Sequence, residues 1–165
     1  MCIRDSYILS DEIYDEYSND DWCSVGLDYE KSIITMSFSK SYAMTGYRIG
    51  YAIAEKSIID KMSKLQALSL TNVSEPIQYV ALQALKADTS KNTNMIKSRL
   101  EALVQSAKDI GLEFIEPDGA MYLFAKTKYK DFDATKFSEK LLEHGVGIAP
   151  GEGFGDYKEL SLIHI

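Results

Sequence analysis

The spacing of apolar residues changes along this chain between Ala54 and Ser57, and that change limits the folds open to it. Before it, the apolar residues come in short, β-branched runs. Ser32 to Ser37 (SIITMS) is almost wholly apolar, and Tyr47 to Ala54 (YRIGYAIA) alternates before stopping at Glu55, so both read as buried strands. Tyr7 to Tyr14 (YILSDEIY) opens apolar and turns acidic, as a buried strand does on reaching the edge of a sheet. After the change, Ile58, Ile59, Met62, Leu65 and Leu68 recur at helical spacing. Pro76 starts a second helix, PIQYVALQALKA, with Ser74 as its cap. A third, from about Asn92 to Lys108, carries Met95, Ile96, Leu100, Leu103 and Val104 on one side, and Gly111 ends it.

Beyond Gly111 strands return: EFIEPDGAMYLFAKTK forms two short ones around the Pro117-Asp118-Gly119 turn, before a helix from Ala134 to His144 and the segment VGIAPGEGFG. Strands, then three helices, then a small α+β layer make this an α/β chain. At 165 residues, 45% hydrophobic and 26% charged, it has the composition of an ordinary soluble globular domain. A net charge of -7 argues against nucleic acid as the main ligand, because phosphate neutralisation needs clustered Lys and Arg. No apolar run is long enough to cross a bilayer and no basic-then-apolar leader opens the sequence, so the chain reads as soluble and cytoplasmic, without a membrane partner. The acidic run SNDDWCSVGLDYE lacks calcium-loop spacing and reads as a solvated loop.

The two ends share an origin. The DNA string ATGTGTATAAGAGACAG translates as Met-Cys-Ile-Arg-Asp and the start of Ser, and its reverse complement as Leu-Ser-Leu-Ile-His and the start of Ile, so one inverted sequence encodes both MCIRDS and LSLIHI. That string resembles a transposon-type sequencing adapter. Residues 1–6 and 160–165 are therefore expected to be adapter scars and are set aside from fold reasoning. Cys2 and His164 go with them, leaving Cys23 and His144, too few for a disulfide framework or a Cys/His metal site. The gene body, Tyr7 to Glu159, is expected to be cut at both ends.

Lys40 stands in SFSKSYAMTGYRIG, just after Phe38 at the end of an apolar run, where a charged amine is costly unless a partner offsets its burial. A lysine so placed can form a Schiff base with a carbonyl. Ser37, Ser39 and Arg48 add hydroxyl donors and a fixed cation that suit a phosphate. A carbonyl compound carrying a phosphate is the implied ligand. Asp11 and Tyr14, three residues apart at the mouth of the first strand, could reach the same object. Beside a protonated pyridine nitrogen a buried carboxylate keeps the ring an electron sink, and a phenol can hydrogen-bond the ring's oxygen substituent.

SDEIYDEY followed by SFSKSYAMTGYRIGYA resembles the fold-type-I pyridoxal-phosphate enzymes, specifically the class I/II aminotransferases related to aspartate aminotransferase. The likeness spans Tyr7 to Glu159. An Asp with a Tyr three residues on, then Ser-x-[Ser/Ala]-Lys with an Arg eight after the Lys, is met at every position. The resemblance implies Lys40 as the lysine that holds the cofactor and shuttles the proton, Asp11 on the pyridine nitrogen, Tyr14 on the ring's phenolic oxygen, and Ser37 and Arg48 on the phosphate. Ser39 matches a neighbouring, less constrained position, and Tyr47 stands where many relatives have Trp. TNVSEPIQYVALQAL, PDGAMYLF and APGEGFG are similar to the family's interdomain helix, small-domain segments and the stretch before its last strand.

It further implies the end of a mainly parallel large-domain sheet with long interdomain helices and a small α+β domain. Residues 7–90 would belong to the large cofactor domain, and 91–159 to the interdomain helix and small domain. The substrates would be an amino acid and a 2-oxo acid, and the full-length parent a homodimer. Rival chemistries on this scaffold are carbon-sulfur lyase or decarboxylase activity, and a rival of another class is a non-catalytic ligand-binding module of a regulator. GEGFG precedes no helix start and is not read as a phosphate loop; His144 is read as a helix cap and Cys23 as a bystander. The family's upstream Gly-containing phosphate turn, stacking aromatic and ring-oxygen Asn are absent from Tyr7 to Glu159, and its substrate-carboxylate arginine is expected just beyond. The chain alone is therefore expected to be inactive.

Overall fold

The computed structural model describes residues 5–18, 21–128 and 132–156, and the backbone of 160–164. It divides into two compact units, Met1–Glu16 with Asp20–Asn92, and Tyr17–Asn19 with Thr93–Ile165.

In the first unit, β1 (Ile8–Asp11), β2 (Ser32–Ser37) and β3 (Gly50–Ala54) form a sheet in that order. β1 runs parallel to β2, with Asp11 opposite Thr35, and β3 antiparallel, with Gly50 opposite Ser37. β1 stops at Asp11, short of the expected Tyr14, because the Asp15 N–H turns back to the Glu12 carbonyl. β3 starts at Gly50 instead of Tyr47, because Thr45–Tyr47 is a single 3-10 turn. Only β2 is buried as expected. β1 and β3 are the edges of this sheet, and Leu9, Tyr51 and Ile53 are exposed.

α1 (Lys56–Ser69) and α2 (Glu75–Ala84) follow. The helical spacing of α1 is as read, yet Ile58, Ile59 and Met62 are only half-buried and Leu65 and Leu68 are exposed. Ser74 occupies the N-cap of α2 without a side-chain capping bond, and the helix ends three residues before Ala87, where short turns from Gln83 and Ala84 replace helical bonding. The core consists of Phe38, Met44 and Ile49 from the loop between β2 and β3, packed on Ala81 of α2.

The second unit takes most of α3 (Ser90–Asp109), then β4 (Glu113–Phe114), β5 (Tyr122–Lys126), α4 (Ala134–Glu143), β6 (Ile148–Pro150) and β7 (Leu160–His164). Its sheet has the order β4-β5-β7-β6 and every pair is antiparallel. α3 ends as Gly111 requires: at φ +75 it takes a left-handed turn that a Cβ disfavours, its N–H bonds the Lys108 carbonyl, and the next N–H, of Leu112, bonds Ala107. Leu112 thereby joins Ala107, Leu123 and Ala125 in the core. Asp133 caps α4 by accepting the Lys136 N–H at 3.0 Å. At its other end His144 Nδ1 lies 2.9 Å from the Lys140 carbonyl oxygen.

Residues 160–164, set aside above, form β7, which lies between β5 and β6 and joins them. The physical reason is that the run Leu-Ser-Leu-Ile-His has strand propensity and meets an open ladder on β5, however the segment is encoded. Residues 1–4 and 165 of the expected scars, Cys2 among them, and residues 157–159 at the end of the gene body lie outside the described residues.

Leu123 is 0% exposed. In the full-length parent, Leu123→Ala is expected to cost about 2–5 kcal/mol, read as a lowered denaturation midpoint, because a buried leucine leaves a cavity that strands cannot readily close.

Candidate active site

β1 and β2 run parallel and finish at the same end, at Asp11 and Ser37, while β3 begins there at Gly50. Residues 38–49 therefore hang outside the carboxyl ends of a parallel pair, where open α/β sheets bind their ligands. The loop is closed by its own backbone: Phe38 N–H to the Ile49 carbonyl at 3.3 Å, Met44 N–H to Phe38 at 3.1 Å, and Ala43 N–H to Lys40 at 2.9 Å. Ala43 and Arg48 adopt φ of 53 and 52, left-handed values costly for residues with a Cβ. Buried Phe38, Met44 and Ile49 hold them there.

Lys40 lies two residues beyond the anchor Phe38 and is half-buried. Its Nζ stands 5.8 Å from the centre of the Tyr14 ring, within cation–π range. The Ser37 hydroxyl accepts the Ser39 N–H at 3.0 Å, which leaves its own proton to give to an anion. Arg48 donates from Nη1 to the Thr45 carbonyl at 2.9 Å and is exposed, with four further N–H donors on its guanidinium. Asp11 accepts the Thr35 hydroxyl at 3.0 Å and is exposed. The buried carboxylate is its neighbour Glu12, whose Oε1 takes the hydroxyls of Ser10 and Ser24, each at 2.8 Å. Ser24 ties the acidic loop to the end of β1, and most of the described loop residues, Cys23 among them, are exposed as expected.

Lys40 and Tyr14 are thus in contact, and Asp11, Ser37, Ser39 and Arg48 sit on elements at the same end of the sheet. Among the described residues no hydrogen bond or ion pair joins Asp11 or Arg48 to Lys40. Three residues went unnoticed in the sequence. Burial pushes the Asp15 carboxyl above the usual carboxylate range, and Glu16 and Glu12 add to the effect against an opposing backbone hydrogen bond. Tyr42 and Tyr51 are pushed up by burial first and by the charges of Glu16 and Asp15 beside them. Only the acidic pair after Tyr14 and the aromatics flanking Lys40 could have signalled this cluster.

An amine, a guanidinium, two serine hydroxyls, a phenol and a carboxylate at one sheet end fit an anionic cofactor that carries a carbonyl and a basic ring nitrogen. The profile of the aminotransferase class I and II family matches residues 3–160. The chain belongs to this family. It is 37% identical over 156 residues to an aspartate aminotransferase of Thermotoga maritima, covering 92% of this chain and 41% of that protein. It is 39% identical over 158 residues to a (5-formylfuran-3-yl)methyl phosphate transaminase of Methanocaldococcus jannaschii, at 90% and 42% coverage. A crystal structure of a Thermotoga maritima aspartate aminotransferase superposes with a TM-score of 0.89 at 34% identity, covering 98% of this chain and 43% of that one. The chain therefore spans about two fifths of the length of these aminotransferases. No helix among the described residues is long and apolar enough to cross a membrane.

Two outcomes follow for this end of the sheet. A Cβ on Gly50 would lie 2.5 Å from the Met36 carbonyl oxygen, inside the β2–β3 ladder that closes the loop. Gly50→Ala is expected to cost about 1–3 kcal/mol in the full-length enzyme, read by denaturant titration, because backbone has to shift to admit the methyl. The second concerns Asp15, whose folded pKa is raised above its unfolded value. The folded state then holds its proton where the unfolded state has lost it, so stability falls as pH rises through the window between the two values. Asp15→Asn should flatten that stretch of the stability curve and leave the protein more stable at neutral pH, as thermal melts across the acid range would show.

Proposed function

We propose that the full-length protein is a pyridoxal-phosphate-dependent aminotransferase that moves an amino group between an amino acid and a 2-oxo acid, and that it works as a homodimer in the cytoplasm. The observation that carries this reading is the amine of Lys40, held over the Tyr14 ring at the carboxyl end of a parallel strand pair. Family membership and the names of the relatives support it. When bound, pyridoxal phosphate supplies an electron sink for the α-carbon of the amino acid.

The chain's own residues have separable tasks. Lys40 Nζ would hold the cofactor through its carbonyl carbon, and the same amine is the base placed to move a proton at the substrate's α-carbon. Asp11 holds a proton on the ring nitrogen, and the Thr35 hydroxyl fixes the carboxylate that does so. Tyr14 donates to the ring's phenolic oxygen. Ser37, Ser39 and Arg48 take the phosphate, the two serines as hydroxyl donors and the arginine as a fixed, planar cation. The chain as it stands, at about two fifths of the relatives' length, is inactive in this proposal.

Borohydride treatment of the cofactor-loaded full-length enzyme should leave a stable adduct on Lys40, located by peptide mapping. A label on another lysine would refute the site. Asp11→Ala should keep some bound cofactor and lose turnover equivalent to about 3 kcal/mol or more of barrier, measured with 2-oxo acid as acceptor. Near-normal turnover in that variant would remove Asp11 from the mechanism.

A further inference from the structure

The loop that carries Lys40 is packed by an aromatic group to which the reading above gives no task. Phe38 is 3% exposed, and its ring meets Tyr42 at 5.1 Å between centroids and Tyr51 of β3 at 5.7 Å. Lys40 lies midway in sequence between Phe38 and Tyr42. The stretch around it is therefore tied twice, by the Met44 N–H on the Phe38 carbonyl at 3.1 Å and by the contact of the two rings. Tyr42 is also fixed from outside the loop. It packs against the cluster that seats the loop on α2, and burial, helped by the charges of Glu16 and Asp15, pushes its phenol pKa up.

We propose that Tyr42 is a positioning residue for Lys40: its ring, packed on Phe38, fixes the loop so that the amine stays over Tyr14. The inference rests on Lys40 being the reactive amine, as proposed above. Stacked or tilted rings hold an angle as well as a distance, which an aliphatic side chain of equal volume does not. A ring that only filled space could be replaced by methionine without consequence for turnover.

The test uses the cofactor-loaded full-length enzyme with Tyr42→Phe, Tyr42→Leu and Tyr42→Met. Four quantities are measured: the lysine labelled by borohydride, the melting temperature, the visible circular dichroism per bound cofactor, and kcat apart from KM. The expected result is a label on Lys40 throughout. Leu and Met should lower kcat on the order of 10²-fold, leave KM within about twofold and weaken the dichroism, while Phe restores all three. The methionine variant keeps the test decisive if the leucine variant does not fold. Unchanged kcat and dichroism in either folded aliphatic variant would overturn the inference while the label on Lys40 upheld the proposed function. So would a phenylalanine variant as impaired as the aliphatic ones, because the hydroxyl and not the ring would then matter. A label on another lysine would overturn both readings.

Discussion

The packing of Phe38, Met44 and Ile49 against Ala81 is the interaction on which the first unit depends, because these three anchors belong to the same loop as Lys40. In many enzymes a mobile loop is laid over a core made elsewhere; here the reactive loop is the core. Each buried anchor contributes about 1.5–3 kcal/mol, enough together to offset two left-handed residues at about 1–3 kcal/mol each. The strain at Ala43 and Arg48 is thus held by burial. A small residue at Ala81 makes this possible, since the loop can approach the helix backbone closely.

The acidic end of β1 shows a division of labour between neighbours. Glu12 is turned inward onto two serine hydroxyls and fixes the loop behind it, whereas Asp11 points outward and is held by one hydroxyl from the adjacent strand. One carboxylate serves the fold and the other is presented at the sheet end. The second unit has its own centre at Leu123, Ala125 and Ala107, which carries no candidate chemistry.

Much of this was legible in the residues. SIITMS is too apolar and too β-branched to be anything but a buried strand, and it is β2. Gly111 after a helical stripe announced a left-handed stop, and the structure has one. Lys40 and Tyr14 were read from a local pattern, and local patterns survive folding. What was not legible depends on tertiary placement. Alternation along SDE gives no hint that Glu12 and not Asp11 turns inward, because that is decided by Ser24, far along the chain. Nothing in the sequence marks Tyr42 and Tyr51, whose phenols are pushed up by burial first and then by the charges of Glu16 and Asp15. β7 was set aside by its coding sequence, and the ladder took it in by its propensity.

The left-handed backbone at Arg48 bears on how such a sequence can drift. Under the proposed function two filters act on the position at once: a cationic fork for the cofactor's phosphate, and a φ that asparagine and glycine adopt easily and β-branched residues almost never do. Neither of the easy conformers carries a charge, and lysine, which does, lacks the fork. Neutral substitution at this codon is consequently closed from both sides, so mutational paths through the loop are expected to pass through its neighbours.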